Sequence, residues 1–356
     1  MADAPRRKLR RLAAAAALVV VLAAAGIGGY GLLEQNYLAP GPARGTVRLK
    51  VTQGETLRDA FGQLAGRDAL RHPREVELYL RLHRRVQPRV EYGVYDIPAR
   101  SSPAQIVRMF EEGRVVLDRI TAVEGATFAQ FLRELEADPD IEHTLRGVSG
   151  AAIMADLGAP GEKPEGRFFP STYIFSPGTS DLTILRMAYD KMSTVLAQVW
   201  SERGADLPLA SPYQALILAS IIEKETGVAD ERARIAGVFV NRLSRGMPLQ
   251  SDPTVIYGLG RRYDGKIHTR DLTTDTPYNT YTRSGLPPTP IALPGLPSLL
   301  AAVHPAKTRD LYFVATGKGG HHFSRTLAAH DAQLRRYLAQ LRLERREAAQ
   351  RKRGQP

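Results

Sequence analysis

An uncharged apolar run near the N-terminus constrains this chain more than any other feature. Residues 12–33 contain no charged side chain, and these 22 residues are enough for an α-helix to cross a bilayer. Five basic residues lie among positions 1–11, and such an excess of positive charge is typical of the cytoplasmic side. We therefore expect a single transmembrane helix with its N-terminus in the cytoplasm and the chain after Glu34 on the outer side.

A cleaved signal peptide is the alternative to an anchor. Ala23, Ala24 and Ala25 resemble a small-residue cleavage site. The apolar stretch of a signal peptide is usually shorter, about 7–15 residues. The length of the run therefore favours an uncleaved single-pass anchor.

The net charge of +12 does not indicate nucleic-acid binding, because it is concentrated at the two ends of the chain. Residues 1–11 carry +4 and residues 335–356 carry +6, which leaves +2 for everything between them. The N-terminal charge is explained by membrane topology, and the C-terminal charge indicates a solvated helix end. The chain has no cysteine, which excludes disulfides, thiolate zinc sites and thiol catalysis.

A strand–turn–helix pattern occurs twice in the first part of the chain. Alternating apolar residues over 46–52 precede a Gly-Glu-Thr turn, and a similar segment follows 71 residues later, so that Gly54 aligns with Gly125 and Thr56 with Thr127. The first copy, VTQGETLRDAFGQLA, resembles a LysM module, a small fold that binds N-acetylglucosamine polymers. We expect a small LysM-like α+β module followed by a larger α+β domain that contains a helical hairpin. The expected divisions are 1–11 basic tail, 12–33 transmembrane helix, 34–45 linker, 46–135 module, 136–340 larger domain and 341–356 flexible basic tail.

The larger domain contains a run that is typical of a buried helix. Ser211 is a good N-cap, Pro212 suits the first helical position, and Gln214 completes a capping box. Gly227 offers a C-terminal stop. A second helix is predicted from Asp230 to Ser244, so the two form a hairpin.

One carboxylate lies on the small-residue apolar face of that first helix. Glu223 shares the face with Leu216, Ala219 and Ser220, whereas Glu225 lies about 200° around the helix. Burial and the negative end of the helix dipole should raise the pKa of Glu223, which is what a general acid needs at neutral pH. The alternative is a structural Glu that reaches solvent or pairs with an Arg.

Two later segments combine aromatic, amide and hydroxyl groups in the way that sugar-binding walls do. They are PLQSDPTVIYGLG (248–260) and YNTYTRSGLPPTPIALPG (278–295), although a Pro-rich surface loop has a similar composition. Residues Gly317–Gly320 lack the spacing of a phosphate-binding loop and predict a hairpin turn, and the adjacent His321 and His322 lack ligand spacing. We expect no metal and no cofactor. The candidate substrate-binding residues are Gln250, Asp252, Thr254, Tyr257, Tyr278 and Asn279.

The stretch SIIEKETGVADERARIAGVFVNRLSRGMPLQSDPTVIYGLG, followed by YNTYTRSGLPP, AAVHPAKTRDLYFV and GKGGHHFS, resembles the YceG-like family of MltG-type endolytic murein transglycosylases. The resemblance implies a lyase anchored in the bacterial inner membrane, with a periplasmic catalytic domain that cuts nascent peptidoglycan strands between N-acetylmuramic acid and N-acetylglucosamine. The new ends would be 1,6-anhydromuramoyl. It also implies that Glu223 is the catalytic acid and that wall synthases are partners.

The chain departs from the family at one position, since Ser171 follows Phe169-Pro170 where the family usually has an acidic residue. Two other functions stay open: a non-catalytic glycan-binding scaffold, and a hydrolytic muramidase whose second carboxylate is Asp252 or Glu225. If Glu223 works alone, as acid and then as base, we expect no second carboxylate within about 5–5.5 Å of it.

Overall fold

The computed structural model describes residues 4–52, 54–84 and 90–353. Gln53, which belongs to the first turn motif, lies outside these ranges. The chain divides into two compact units, Met1–Asp118 and Arg119–Pro356, and each is described by itself.

The first unit combines a long N-terminal helix with a strand–helix–helix–strand segment and one further helix. Its elements are α1 (Ala4–Leu38), β1 (Val47–Val51), α2 (Leu57–Gly66), α3 (Pro73–His83), β2 (Gly93–Ile97) and α4 (Pro103–Glu111). Strands β1 and β2 pair antiparallel, with Val47 opposite Ile97 and Val51 opposite Gly93. The helices cover this ribbon and bury Leu49, Phe61 and Phe110.

Helix α1 contains Leu12–Leu38, which is long and apolar enough to cross a membrane by length and composition. The helix does not stop at residue 33 but continues to Leu38, and Tyr37 joins the core of the first unit. Ala43 is also buried there, and its carbonyl accepts a hydrogen bond from the Arg100 N–H at 2.9 Å. The expected linker over 34–45 is therefore helical at its start and packed against the unit after it.

The second unit is mostly helical and carries three small strand pairs. Its strands are β3 (Asp118–Thr121), β4 (Ile141–Glu142), β5 (Thr172–Phe175), β6 (Thr179–Ser180), β7 (Tyr312–Ala315) and β8 (His321–Ser324). Its helices are α5 (Phe128–Ala137), α6 (Gly150–Asp156), α7 (Asp181–Ser201), α8 (Pro212–Glu225), α9 (Arg232–Leu243), α10 (Asp252–Leu259), α11 (Thr269–Thr273), α12 (Leu296–Val303) and α13 (Leu327–Arg353). The pairs are β3 with β5, β4 with β6, and β7 with β8.

Both copies of the predicted strand–turn–helix unit form. Gly54 and Gly125 have positive φ, +90° and +75°, and Thr56 and Thr127 each cap the following helix through a capping box. The copies nevertheless belong to different units. Residues 120–135 pack with later helices of the second unit, so the structural division falls after Asp118 and not after residue 135.

Helix α8 runs through the core of the second unit. Every residue from Ala215 to Ile222 is buried, because apolar side chains surround the helix on all sides. The Ser211 hydroxyl accepts the Gln214 N–H at 3.3 Å, as predicted, but Gln214 Oε1 accepts from the Ala210 N–H and not from Ser211.

Helix α8 ends at Glu225 with Thr226 as its C-cap, so Gly227 lies at the next position, where the sequence predicted the stop. Thr226 is extended, and its hydroxyl accepts the Val228 N–H at 2.9 Å. The hairpin partner α9 forms as predicted, after a 3₁₀ turn at Ala229–Glu231. The predicted turn between β7 and β8 also forms, whereas the segment expected to be a flexible C-terminal tail is helical as far as Arg353.

Candidate active site

Glu223 lies in the last turn of α8 against residues 291–295, a segment outside the helices and strands. The Ile291 N–H donates to Ser220 Oγ at 3.0 Å, and the Gly295 N–H donates to Glu223 Oε2 at 3.0 Å. Ser220 and Glu223 share the helix face that the sequence predicted, so this face holds the segment at two points. The Glu223 side chain is only 7% exposed.

A loop from the start of the second unit completes the surroundings of Glu223. Gly125 N–H donates to the Leu293 carbonyl at 2.9 Å, and Leu293 N–H donates to the Ala126 carbonyl at 2.7 Å. Lys224 Nζ donates to the Gly125 carbonyl at 3.0 Å. The second turn motif, residues 124–127, therefore lies beside Glu223.

A second carboxylate, that of Glu124, lies directly against Gly295. A methyl group added at Gly295 would collide with this carboxylate. The same glycine thus donates its N–H to Glu223 and is covered by Glu124. Asp252 and Glu225 bond instead to Tyr281 and Ser251, so among the described contacts Glu124 is the acidic group that lies against this segment.

Arg232, at the start of α9, also faces Glu223. Its guanidinium lies 4.0 Å from Glu223 Oε1, and its side chain is 14% exposed. The buried Nε of Arg232 has no hydrogen-bond partner among the described residues. A donor of this kind beside an acidic group can bind an oxygen of a ligand.

Glu225 faces a different set of partners on the α10 side of the helix. Its Oε1 accepts the Ser251 hydroxyl at 2.5 Å, and the neighbouring Asp252 accepts the Tyr281 hydroxyl at 2.5 Å. Burial raises the pKa of Glu225 to about 7, with a further contribution from the negative charge of Asp252. The sequence pattern did not indicate this shift at Glu225.

Glu165 is a buried carboxylate that links the start of α5 to α10. Its Oε1 accepts the Phe128 N–H at 2.9 Å, and its Oε2 accepts the Tyr257 hydroxyl at 3.0 Å. Burial raises the pKa of Glu165, although both hydrogen bonds favour the charged form. The following Gly166 has φ +77° and lies so close to Pro290 that a Cβ would not fit.

The two predicted tyrosines of the sugar-binding wall lie together. The rings of Tyr257 and Tyr278 are 4.9 Å apart and meet edge to face, a favoured geometry for aromatic pairs. Tyr278 shares a 2.9 Å hydrogen bond with Thr289, just before the 291–295 segment. The aromatic pair is therefore connected to both Glu165 and the segment that holds Glu223.

The other four candidates divide into exposed and buried residues. Gln250 and Asp252 are exposed, and Gln250 Oε1 accepts from Arg242 at 2.9 Å. Thr254 is fully buried, and its hydroxyl bonds the Ser251 carbonyl and Thr280. Asn279 is 1% exposed and donates its amide to three backbone carbonyls, so the structure gives Thr254 and Asn279 interior contacts.

Sequence reasoning missed Glu124, Glu165, Arg232 and Gly295 as members of this site. Of the residues near Glu223, only Gly125 was indicated by the sequence, as part of a repeated turn. The Ser171 position, where the resemblance implied a departure, carries a hydroxyl that accepts from Lys191 Nζ at 3.0 Å.

Comparison with known proteins gives one family. The model of the YceG-like family matches residues 49–336. A curated endolytic murein transglycosylase from Bacillus subtilis is 40% identical over 176 residues, which are 49% of this chain and 48% of that protein. One from Streptococcus pneumoniae is 31% identical over 180 residues, 49% of this chain and 32% of that protein. The matches thus span half or less of the length of these relatives.

A solved structure supports the fold. The crystal structure of a yceG-like protein from Listeria monocytogenes covers 81% of this chain and 98% of its own, with a TM-score of 0.51 and 27% sequence identity.

Proposed function

Because the chain belongs to the YceG-like family, we propose that it is an endolytic murein transglycosylase that cuts peptidoglycan strands between N-acetylmuramic acid and N-acetylglucosamine. The observation that carries the proposal is Glu223 itself. It is a nearly enclosed carboxyl group, fixed by the Gly295 N–H, in a domain that also presents a pair of tyrosine rings. Two relatives with 31–40% identity carry the name of this activity.

In the proposed reaction Glu223 acts first as acid and then as base. Its proton passes to the glycosidic oxygen while the bond from that oxygen to C1 of the muramoyl residue breaks. The muramoyl C6 hydroxyl then bonds to C1, and its proton returns to the Glu223 carboxylate. Water is not consumed, so the product is a 1,6-anhydro end and the reaction is a lyase reaction.

The geometry supports definite roles around this carboxyl group. The Gly295 N–H and the Arg232 guanidinium orient Glu223. We assign sugar contacts to Tyr257 and Tyr278, whose ring faces suit the apolar side of a pyranose. Arg232, with its unpartnered Nε, would contact a substrate oxygen.

The remaining four candidates are assigned two different roles. Gln250 and Asp252 are exposed and are proposed as further sugar contacts, whereas Thr254 and Asn279 hold the loops that carry them. The absence of a second catalytic carboxylate within about 5–5.5 Å of Glu223 stays a prediction. Glu124 is the carboxylate whose role must be tested.

The proposed location follows from α1. A single span over Leu12–Leu38 would hold the chain in the bacterial inner membrane, with residues 1–11 in the cytoplasm and the second unit in the periplasm. A LysM-like glycan contact by the first unit and an association with wall synthases both stay predictions.

Digestion of purified glycan strands by the full-length chain in detergent, followed by mass spectrometry of the ends, tests the proposal. We expect anhydro ends from the wild type. Removal of a general acid–base group costs about 10²–10⁴-fold in rate, so Glu223→Gln should lose at least about 100-fold. Glu225→Gln and the exposed Glu134→Gln are the matched controls and should keep cleavage.

Each of the other results has a definite meaning. Reducing ends would favour a hydrolytic muramidase, and no cleavage by the wild type would favour the glycan-binding scaffold. Full activity of Glu223→Gln with loss in Glu225→Gln would move the acid to Glu225, whose pKa of about 7 suits that role.

A further inference from the structure

Helix α3 packs along the outer end of α1, with the two helices running in opposite directions. Asn36 donates to Glu75 at 2.6 Å, near the start of α3. Six residues earlier on α1, Tyr30 shares a 3.0 Å hydrogen bond with His83, the last residue of α3. The ring of Tyr79 lies between these points, 5.7 Å from that of Tyr30. Helix α3 therefore advances towards the apolar span as it runs from Glu75 to His83.

The length of the apolar span indicates how close the end of α3 comes to the hydrocarbon layer of the bilayer. A hydrocarbon layer of about 30 Å takes about 20 helical residues at about 1.5 Å each. Counted from Leu12, the first residue after the basic cluster, this layer ends near Gly31. Tyr30 therefore lies at its outer boundary, where tyrosines are enriched in membrane proteins. Since His83 contacts Tyr30, the C-terminal end of α3 lies at the same level.

One stripe of the exposed surface of α3 becomes apolar towards that end, beside the exposed Arg81. Arg74, Leu78 and Leu82 are spaced by four residues, so they form one stripe along the helix. Leu78 is 48% exposed and Leu82 is 62% exposed, whereas Val76 and Leu80 on the opposite face are completely buried. Single exposed leucines are ordinary on protein surfaces, but these two lie on the part of α3 that approaches the span.

We propose that the C-terminal half of α3 is a membrane-contact surface, in which Leu82, and less deeply Leu78, enter the outer interface of the bilayer beside α1. Apolar side chains gain free energy when they leave water for the interface. The first unit would then be held on the membrane by two packed helices at a fixed orientation. This inference rests on the proposed membrane anchor, and it does not depend on the chemistry of Glu223.

The absence of cysteine from the chain allows a direct test. Full-length Arg74→Cys, Leu78→Cys and Leu82→Cys variants are each labelled with an environment-sensitive fluorophore and reconstituted into phosphatidylglycerol/phosphatidylcholine vesicles. Quenching by brominated acyl chains is then measured for each. Steps of four residues correspond to about 6 Å along the helix, so quenching should be strong at 82, weaker at 78 and absent at 74. Val20→Cys, within the span, is the control for insertion.

The outcomes separate the inference from the anchor on which it rests. Quenching at 20 but at none of the three α3 positions would overturn the membrane contact and leave the anchor intact. Equal quenching at 74, 78 and 82 would overturn the proposed direction of approach. No quenching at 20 would refute the anchor, and the inference with it.

Discussion

Replacing Glu225 by Gln should stabilise the protein at alkaline pH and leave its stability nearly unchanged at acid pH. The pKa of Glu225 is raised from 4.5 to about 7, chiefly by burial. The folded state therefore binds this proton more tightly than the unfolded state does. The free energy of unfolding must then fall as the pH rises from about 4.5 to about 7, and it stays low above that range.

The size of the effect follows from the shift. One pKa unit corresponds to about 1.4 kcal/mol, so a shift from 4.5 to about 7 costs about 3 kcal/mol once Glu225 is ionised in both states. Gln removes the charge and keeps an oxygen that accepts from the Ser251 hydroxyl. The variant should therefore exceed the wild type by about 3 kcal/mol at pH 8 and by little at pH 4.5.

Denaturant unfolding of the full-length chain in detergent, measured from pH 4.5 to pH 8.5, checks this prediction. The only tryptophan, Trp200, packs against the core that contains most of α8, so its fluorescence follows the relevant unit. Glu134→Gln, an exposed position on α5, controls for the general effect of removing a carboxylate. A Glu225→Gln variant that is no more stable than the wild type at pH 8 would refute the reasoning.

Two further predictions concern packing around the site. Gly237→Ala places a methyl group 2.5 Å from the Ala306 carbonyl oxygen and should lower the free energy of unfolding by about 1–3 kcal/mol. The control Gly227→Ala meets nothing within 4 Å and should change it by less than about 0.5 kcal/mol. Equal denaturation midpoints for the two variants would contradict this prediction. Tyr257→Phe removes the side-chain donor to the buried Glu165 and should cost about 1–3 kcal/mol. The loss should be largest at high pH, where Glu165 is charged. Denaturant titration at two pH values measures it, and a pH-independent loss would count against the role given to this hydrogen bond.

Local patterns were sufficient for several elements of the fold. The Ser211 cap, the two Thr-capped helices and the α8–α9 hairpin each depend on residues within a few positions of one another, and each formed as predicted. The errors arose where distant contacts compete with such patterns. Tyr37 and Ala43 bring the expected linker after residue 33 into the core of the first unit, and the second turn motif, expected in the first module, packs with later helices of the second unit.

In the candidate site, too, local patterns predicted the face on which a residue lies but not its distant contacts. Helix periodicity correctly placed Glu223 on the face of Ser220, and the 291–295 segment docks on that face. Periodicity says nothing about what covers the other faces. It therefore gave no indication that Glu225 meets Ser251, that Glu165 meets Tyr257, or that Glu124 covers Gly295.

The sequence by itself determined the apolar span, the N-terminal helix caps, the hairpin and the helix face on which Glu223 lies, because each of these depends on neighbouring or helically spaced residues. Only the tertiary structure decided which carboxyl groups are buried, which donors they meet and how α3 lies against α1. These properties depend on solvent exclusion and on hydrogen bonds between segments that are tens to more than a hundred residues apart. Their energies are set by the three-dimensional arrangement and by no local pattern.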